Sequence, residues 1–307
     1  MYKFLLCLLI VLLFSCTRNI KIDTKSDFVL VLPINIEKKI YDLISLDQSF
    51  PESRIQLDKN YGINDRNIFF SEYGYIYSFH ENIRSNVIDL VKISEKPVVR
   101  KIVMPEEVNH LEMKDHSSAF ILNKRNQLFM LNFESEALQL IRDSFAEYPT
   151  GFIYKNDIVY LHTLENNILL YDIESDKISD LTVKSNSIIA VNIDASLFAY
   201  VRHRDSKIAF INLKTGDRFE TDIKGVSELL FLNKRFLVYI KPIYFFQFST
   251  LPPNNRTFQY ILFDTMSGQQ SILSQISINV ADQDGLGPFI IKKSDAKILI
   301  NTMGLKK

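Results

Sequence analysis

Short apolar runs alternate with polar turns along most of the chain, and one such unit recurs. NILLYDIESDKISDL, residues 167–181, reads as a strand, a tight polar turn and a second strand, with Asp172 ending the first apolar run. The same arrangement places Asn132 in QLFMLNFESEALQLI and Asn212 in KIAFINLKTGDRFET, so three copies stand 40 residues apart. A looser copy another 40 residues upstream carries Lys92 in VIDLVKISEKPVVRKIV, and the weakest carries Asp47 in YDLISLDQSFPESRIQL. A further copy, FQYILFDTMSGQQSIL with Asp264, follows Asn212 by 52 residues. The extra 12 fall in residues 241–257, KPIYFFQFSTLPPNNRT.

A self-similar period of roughly 40–45 residues is the signature of a propeller, with one four-stranded sheet per period. The intervening runs, rich in Ile, Phe, Tyr, Val and Leu, suit half-buried strands. No stretch after Ser26 shows a helical period over three turns. A β-sandwich also spaces short strands closely, but it gives no reason for copies in register. The expectation is an all-β propeller of six blades. Five are internal, at about 61–105, 106–147, 148–185, 186–225 and 226–275. The sixth combines residues 41–57 with two strands at 287–291 and 296–301, so that the termini together close the ring and remove its free edge. Seven blades follow instead if residues 28–36 belong to a separate unit from 41–57.

The N-terminus carries a different pattern. Residues 4–14, FLLCLLIVLLF, form an apolar run behind a short basic start. Eleven residues are too few to cross a bilayer, which takes about 20, and fit the apolar core of a secretory signal. The following LFSC, residues 13–16, resembles the lipobox of bacterial lipoproteins. The resemblance implies cleavage after Ser15 and lipid attachment at Cys16. The chain then divides into a signal peptide (1–15), a lipidated Cys with a polar tether (16–26) and one propeller domain (27–307). Cys7 would leave with the signal, so Cys16 would have neither a disulfide nor a metal partner. By the same resemblance the protein is exported and membrane-anchored through its lipid. The outer membrane is favoured because Thr17 is not the Asp that retains such proteins at the inner one. The periplasmic and surface faces both remain open.

Composition removes one class of partner. Lys+Arg and Asp+Glu are equal at 36, so there is no broad basic footprint for nucleic acid. The five histidines are His80, His110, His116, His162 and His203. His110 and His116 flank Asp115, and His162 and His203 fall at similar places in successive units. No ligand motif joins them, so surface or turn positions are expected. Asp282, Asp284 and Gly285 share residues with a calcium loop but lack its spacing and closing Glu, and read as a turn. No nucleophile elbow, phosphate loop, dinucleotide fingerprint or zinc motif is present. No catalytic, cofactor-binding or metal-binding residue is therefore assigned. An active site would need acids and histidines to converge on the propeller axis from distant parts of the chain. The long step offers the other candidate. Tyr244, Phe245, Phe246 and Phe248 would form an aromatic partner-binding patch if exposed on a projecting hairpin, or would pack inward along it.

INLKTGDRF, residues 211–219, resembles the repeat of the quinoprotein-like propellers, with Phe219 where that family usually carries Trp. The same repeat occurs in the lipoprotein propeller of the outer-membrane β-barrel assembly machinery, a scaffold without catalysis. The overall plan is also similar to six-bladed propeller lipoproteins of unassigned function. These resemblances imply a membrane-anchored, non-enzymatic scaffold without a cofactor, binding another envelope protein or a ligand. The alternatives are a channel-borne lyase or hydrolase acting on a small molecule or glycan, and a surface lipoprotein with no catalytic role. Oligomeric state is left open.

Overall fold

The computed structural model describes residues 27–45, 52–57, 68–79, 86–243, 255–279 and 287–304. Within them, 23 strands form four four-stranded antiparallel sheets and one seven-stranded sheet. The first sheet joins β1 (Phe28–Asn35), β2 (Ile40–Ser45) and β3 (Ser53–Gln56) to the last strand, β23 (Phe289–Lys292), in the order β23-β1-β2-β3. The second runs β4 (Phe69–Ser71), β5 (Tyr75–Phe79), β6 (Val87–Lys92) and β7 (Val99–Val103). The third runs β8 (Val108–Met113), β9 (Ser118–Asn123), β10 (Leu128–Asn132) and β11 (Leu138–Arg142). The seven-stranded sheet contains β12 (Pro149–Lys155), β13 (Ile158–Thr163), β14 (Asn167–Asp172), β15 (Lys177–Val191), β16 (Leu197–Arg202), β17 (Lys207–Asn212) and β18 (Arg218–Lys224). The last sheet is β19 (Glu228–Phe231), β20 (Phe236–Ile243), β21 (Asn255–Asp264) and β22 (Gln270–Asn279).

Each copy of the sequence repeat is a hairpin of two neighbouring strands, and its polar residue has a structural task. Asn132 Oδ1 accepts from the backbone N–H of Glu134 and Ser135 at 3.0 and 2.9 Å. Asp172 does the same for Glu174 and Ser175, and Asn212 for Lys214 and Thr215. Asp264 accepts from Met266 N–H at 3.0 Å. Four residues after each anchor the chain turns left-handed, at Glu136, Asp176, Gly216 and Gly268, with φ between 54° and 76°. Short Asn and Asp side chains that bond the backbone ahead of them are what such a turn requires.

The sheets pack face to face around a ring. Along β1, Val29 and Val31 point into the apolar layer shared with the second sheet, and Leu30 and Leu32 into the layer shared with the last sheet. Alternation buries both faces because strand side chains have a period of two. Similar layers lie between the second and third sheets, the third and fourth, and the fourth and last. One more divides the seven-stranded sheet itself. Middle strands such as β9 are buried at every position, whereas outer strands such as β7 and β11 are mostly open.

β15 explains the seven-stranded sheet. Its first part pairs with β14 as far as Lys184, and its second part pairs with β16 from Ser185 onward. Left-handed residues at Thr182 and Ser187 bend it. His162 supports the bend from inside, accepting from Ser187 N–H at 3.0 Å and bonding Thr150 Oγ1 at 2.6 Å through Nδ1.

Three sequence expectations change. The pairing Leu30↔Ile44 and its neighbours place β1 and β2 in one sheet, which removes the division that would have given a separate unit at 28–36. The C-terminal segment contributes one strand rather than two. Residues 296–301 lie in α1 (Lys293–Met303), whose Ala296, Leu299 and Met303 are buried against β1, β3 and β23. KILIN sets three apolar residues in a row, as a short buried strand does, but the spacing of three and four between Ala296, Leu299 and Met303 also makes a helical stripe, and packing decides between them. The long step is an extended three-stranded ribbon, with Ile243↔Thr257 and Asn255↔Asn279 at its far end. Tyr244, Phe245, Phe246 and Phe248 lie outside the described residues, as do residues 1–26 with Cys16, His80, and Asp282, Asp284 and Gly285.

Candidate functional site

The first strands of successive sheets surround a cavity of about 500 Å³ on the ring axis. Its wall comes from β4, β8, β12, the second half of β15, β19 and the segment 287–290 leading into β23. Chemistry gathers at one end. Glu72 directly follows β4, Glu112 is the penultimate residue of β8, and Lys155 is the last residue of β12. Lys155 Nζ lies 3.3 Å from Glu72 Oε1. Burial, followed by the nearby Glu72 carboxyl and the more distant Glu112 and Asp115, holds the Tyr73 hydroxyl protonated well above its ordinary range.

His110 and Glu112 are two apart on β8 and so share its channel face. His110 Nε2 stands 4.0 Å from Glu112 Oε2, beyond hydrogen-bond reach, and has no hydrogen-bond partner although the atom is closed to solvent. Both side chains keep 36% of their surface open to the channel, while the surrounding strands enclose them on every side. That enclosure disfavours charge. It lowers His110 to about 4, against a backbone hydrogen bond to Phe152, so the imidazole is neutral at physiological pH. It raises Glu112 to about 8, opposed by Lys155 and reinforced by Glu72. Across the cavity Glu228 opens β19 and is open to the channel, and enclosure alone raises it to about 7.

The apolar part of the wall is partly aromatic. Phe69 stacks on Tyr77 at 5.2 Å and meets Phe289 edge-on at 6.0 Å. Phe152 meets His110 edge-on at 4.8 Å. Gly151 faces the cavity without crowding, since a Cβ there would meet only His110 Nδ1, at 3.8 Å.

The expectation of surface histidines holds for His116 and His203 and fails for the other two described. His116 bonds Tyr73 O at 3.1 Å and His203 bonds Asn186 Oδ1 at 2.9 Å, both exposed. His110 instead lines the channel, and His162 is buried beneath the bend in β15. The sequence pair His110/His116 does not converge, and no group of three metal-ligating side chains occurs among the described residues. Glu72, Glu112, Lys155 and Glu228 were not singled out from the sequence. Their one local sign is a charge inside a short apolar strand, as in VNHLEM and SELLFL.

No protein-family model matches the chain, and no curated protein matches it. Solved structures do. A chain in the crystal structure of a nidogen/laminin complex superposes with a TM-score of 0.54 at 10% identity, covering 86% of this chain and 98% of that one. The fold is a β-propeller. The N-terminal domain of Nup159 superposes more loosely, with a TM-score of 0.45 at 10% identity, over 83% of this chain and 68% of that one. At this identity the likeness concerns the propeller architecture alone. The cavity lined by the first strands is then the propeller's axial channel.

Proposed function

We propose that the chain is a lipid-anchored envelope lipoprotein, and that its propeller of six blades is a non-enzymatic scaffold binding a ligand in the axial channel. The blade count takes the seven-stranded sheet as two four-stranded units sharing β15. The first sheet, built from both ends of the chain, is the blade that closes the ring. The lipobox-like LFSC supports the anchor at Cys16, which would place the propeller at the outer membrane. Replacing Cys16 by Ser should move the protein from the membrane to the soluble fraction. Retention in the membrane would remove the anchor from the account.

The observation that carries the ligand-binding reading is the convergence of Glu72, Lys155, Glu112 and His110 on one enclosed cavity from three different sheets. Concave sites with a few converging polar groups on partly apolar walls are where small molecules bind. Stability alone gives no reason to enclose carboxyls without partners. The test is a thermal-shift screen of polar metabolites and short oligosaccharides, run on the wild type and on Gly151→Trp, which fills the channel beside His110. A compound that shifts the wild type and not the variant supports the site. Shifts of equal size in both would place binding elsewhere.

A second reading, a channel-borne lyase or hydrolase, is favoured by one observation. Glu112 holds its proton near neutral pH beside a second carboxyl, Glu72, and the Tyr73 hydroxyl, a set suited to general acid–base work. With a ligand in hand, Glu112→Gln separates the two. Turnover by the wild type that Glu112→Gln loses even at saturating ligand marks an enzyme, and ligand left unchanged by the wild type over long incubation marks a binder. The aromatic patch at Tyr244, Phe245, Phe246 and Phe248 remains the proposed contact for another envelope protein. Its deletion should abolish cross-linking to that partner and leave channel binding intact.

A further inference from the structure

The channel's ionisable side chains do not pair off, and the mismatch points to the kind of ligand it takes. Three carboxyl side chains line the cavity, Glu72, Glu112 and Glu228, against one ammonium, Lys155. Lys155 is already engaged by Glu72. Among the described residues, the one basic group within 4.0 Å of Glu112 is the imidazole of His110, and no ion pair reaches Glu228. The ladders His110↔Leu122 and Glu228↔Ile240 give Glu228 the place in its sheet that His110 has in its own. The two uncompensated carboxyls therefore stand on different sheets, two residues apart in level, and open into one cavity.

Resting on the channel being the binding site, we propose that it takes a linear organic dication with an amino group at each end. One ammonium sits on Glu112 and the other on Glu228. The hydrocarbon between them lies along the half-buried Ile153, Leu230 and Phe289. The His110 corner supports this independently of the acids. Its Nε2 is closed to solvent and has no partner, beside a carboxyl 4.0 Å away. An ammonium carries three donors, so a turn of the His110 ring that opens Nε2 to the channel lets one ammonium serve the carboxylate and the imidazole lone pair together. Aromatic faces such as Phe69 add a favourable surface for a cation. An anion would meet two uncompensated carboxyls with Lys155 already occupied. A neutral chain would leave both carboxyls enclosed and unpaired.

The experiment is calorimetric titration of the full-length protein in detergent at neutral pH. The probes are α,ω-diaminoalkanes of four to ten carbons, the diols of equal length, and the monoamines. The expected result is one-to-one binding of a diamine with a preferred length. The matching monoamine should bind about tenfold or more weakly, as loss of one charge-assisted contact implies, and the diol not measurably. Glu112→Gln and Glu228→Gln should each weaken the preferred diamine about tenfold, and Gly151→Trp should abolish its binding. Thermal melts of each variant show that it is folded. Equal binding of diol and diamine, or full affinity in both Gln variants, overturns the proposal. If no diamine binds while another compound binds in a Gly151-dependent way, the dication is wrong and the channel reading stands. If nothing depends on Gly151, both fall.

Discussion

The layers between blades and the channel they enclose follow opposite rules. Between β17 and the last sheet, Phe210 is fully buried, stacked on Phe219 at 4.6 Å and on Phe263 at 6.0 Å, in a layer of Ala, Val, Ile, Leu, Phe and Tyr. One charge buried beside such a layer is fully answered. Asp264 is almost fully buried and takes a two-pronged bond from Arg235 at 2.7 and 2.5 Å, which holds its carboxyl well below the usual range. In the channel Glu112 and Glu228 are enclosed without a cation of their own, and His110 Nε2 is enclosed without a donor. The same strands supply both environments on their two faces. The blade faces are arranged for stability, and on the proposed reading the axial face gives some of that stability up, as binding sites do.

The largest effect should come from the blade face. Phe210→Ala removes a buried ring between two sheets and should cost about 3–5 kcal/mol in denaturant unfolding. A loss under 1 kcal/mol would mean that these layers do not hold the ring. The turn anchors come next. Asn132→Ala leaves the N–H groups of Glu134 and Ser135 without their acceptor and should cost about 1 kcal/mol, with channel binding unchanged. Smallest is a gain. Glu136 occupies the left-handed place that Gly216 and Gly268 fill in other copies, so Glu136→Gly should stabilise by roughly 0.5–1 kcal/mol, read as a higher unfolding midpoint.

How much of this was legible in the sequence depends on the range of the interaction responsible. The repeat was visible because its cause is local: Asn132, Asp172, Asn212 and Asp264 each bond backbone two or three residues ahead. The expected units at 61–105, 106–147 and 226–275 match separate four-stranded sheets to within a few residues, for the same reason, whereas those at 148–185 and 186–225 fall together in the seven-stranded sheet. α1 was misread because the apolar run in KILIN suits a short buried strand as well as a helix, and the choice is made by burial of Ala296, Leu299 and Met303 against strands from the other end of the chain. The channel was missed because Glu72, Glu112, Lys155 and Glu228 lie one or two to a unit. Each alone resembles a solvated strand end, and only the ring brings them together. His110 was read with His116, its neighbour in sequence, when its true neighbours are Phe152 and Gly151 on the next sheet.

The central claim is that the axial face gives up stability for ligand binding, and one measurement tests it most directly. Thermal unfolding of the wild type and of a Glu112→Gln, Glu228→Gln double variant would be followed from pH 6.5 to 8.5 without ligand. A carboxyl whose pKa is raised by folding contributes stability that is complete below its unfolded value, about 4.5, and is lost as pH rises through the folded value. For these groups that loss runs upward from about 4.5 and is complete above about 7 for Glu228 and about 8 for Glu112, so its last part lies in this window. His110, lowered to about 4, adds stability as pH rises toward its unfolded value of 6.5, at the lower edge of this window, and does so in both proteins. The other groups facing the two carboxyls are Glu72, Lys155, Tyr73 and Tyr77 for Glu112, and Tyr260 for Glu228, and they are common to both proteins. The account predicts that the wild type loses stability across the window and that the double variant loses less. At pH 8.5 the variant should melt about 2 °C or more higher, a modest shift because the channel is wet. A double variant that melts at or below the wild type at pH 8.5, with the same slope, would contradict it.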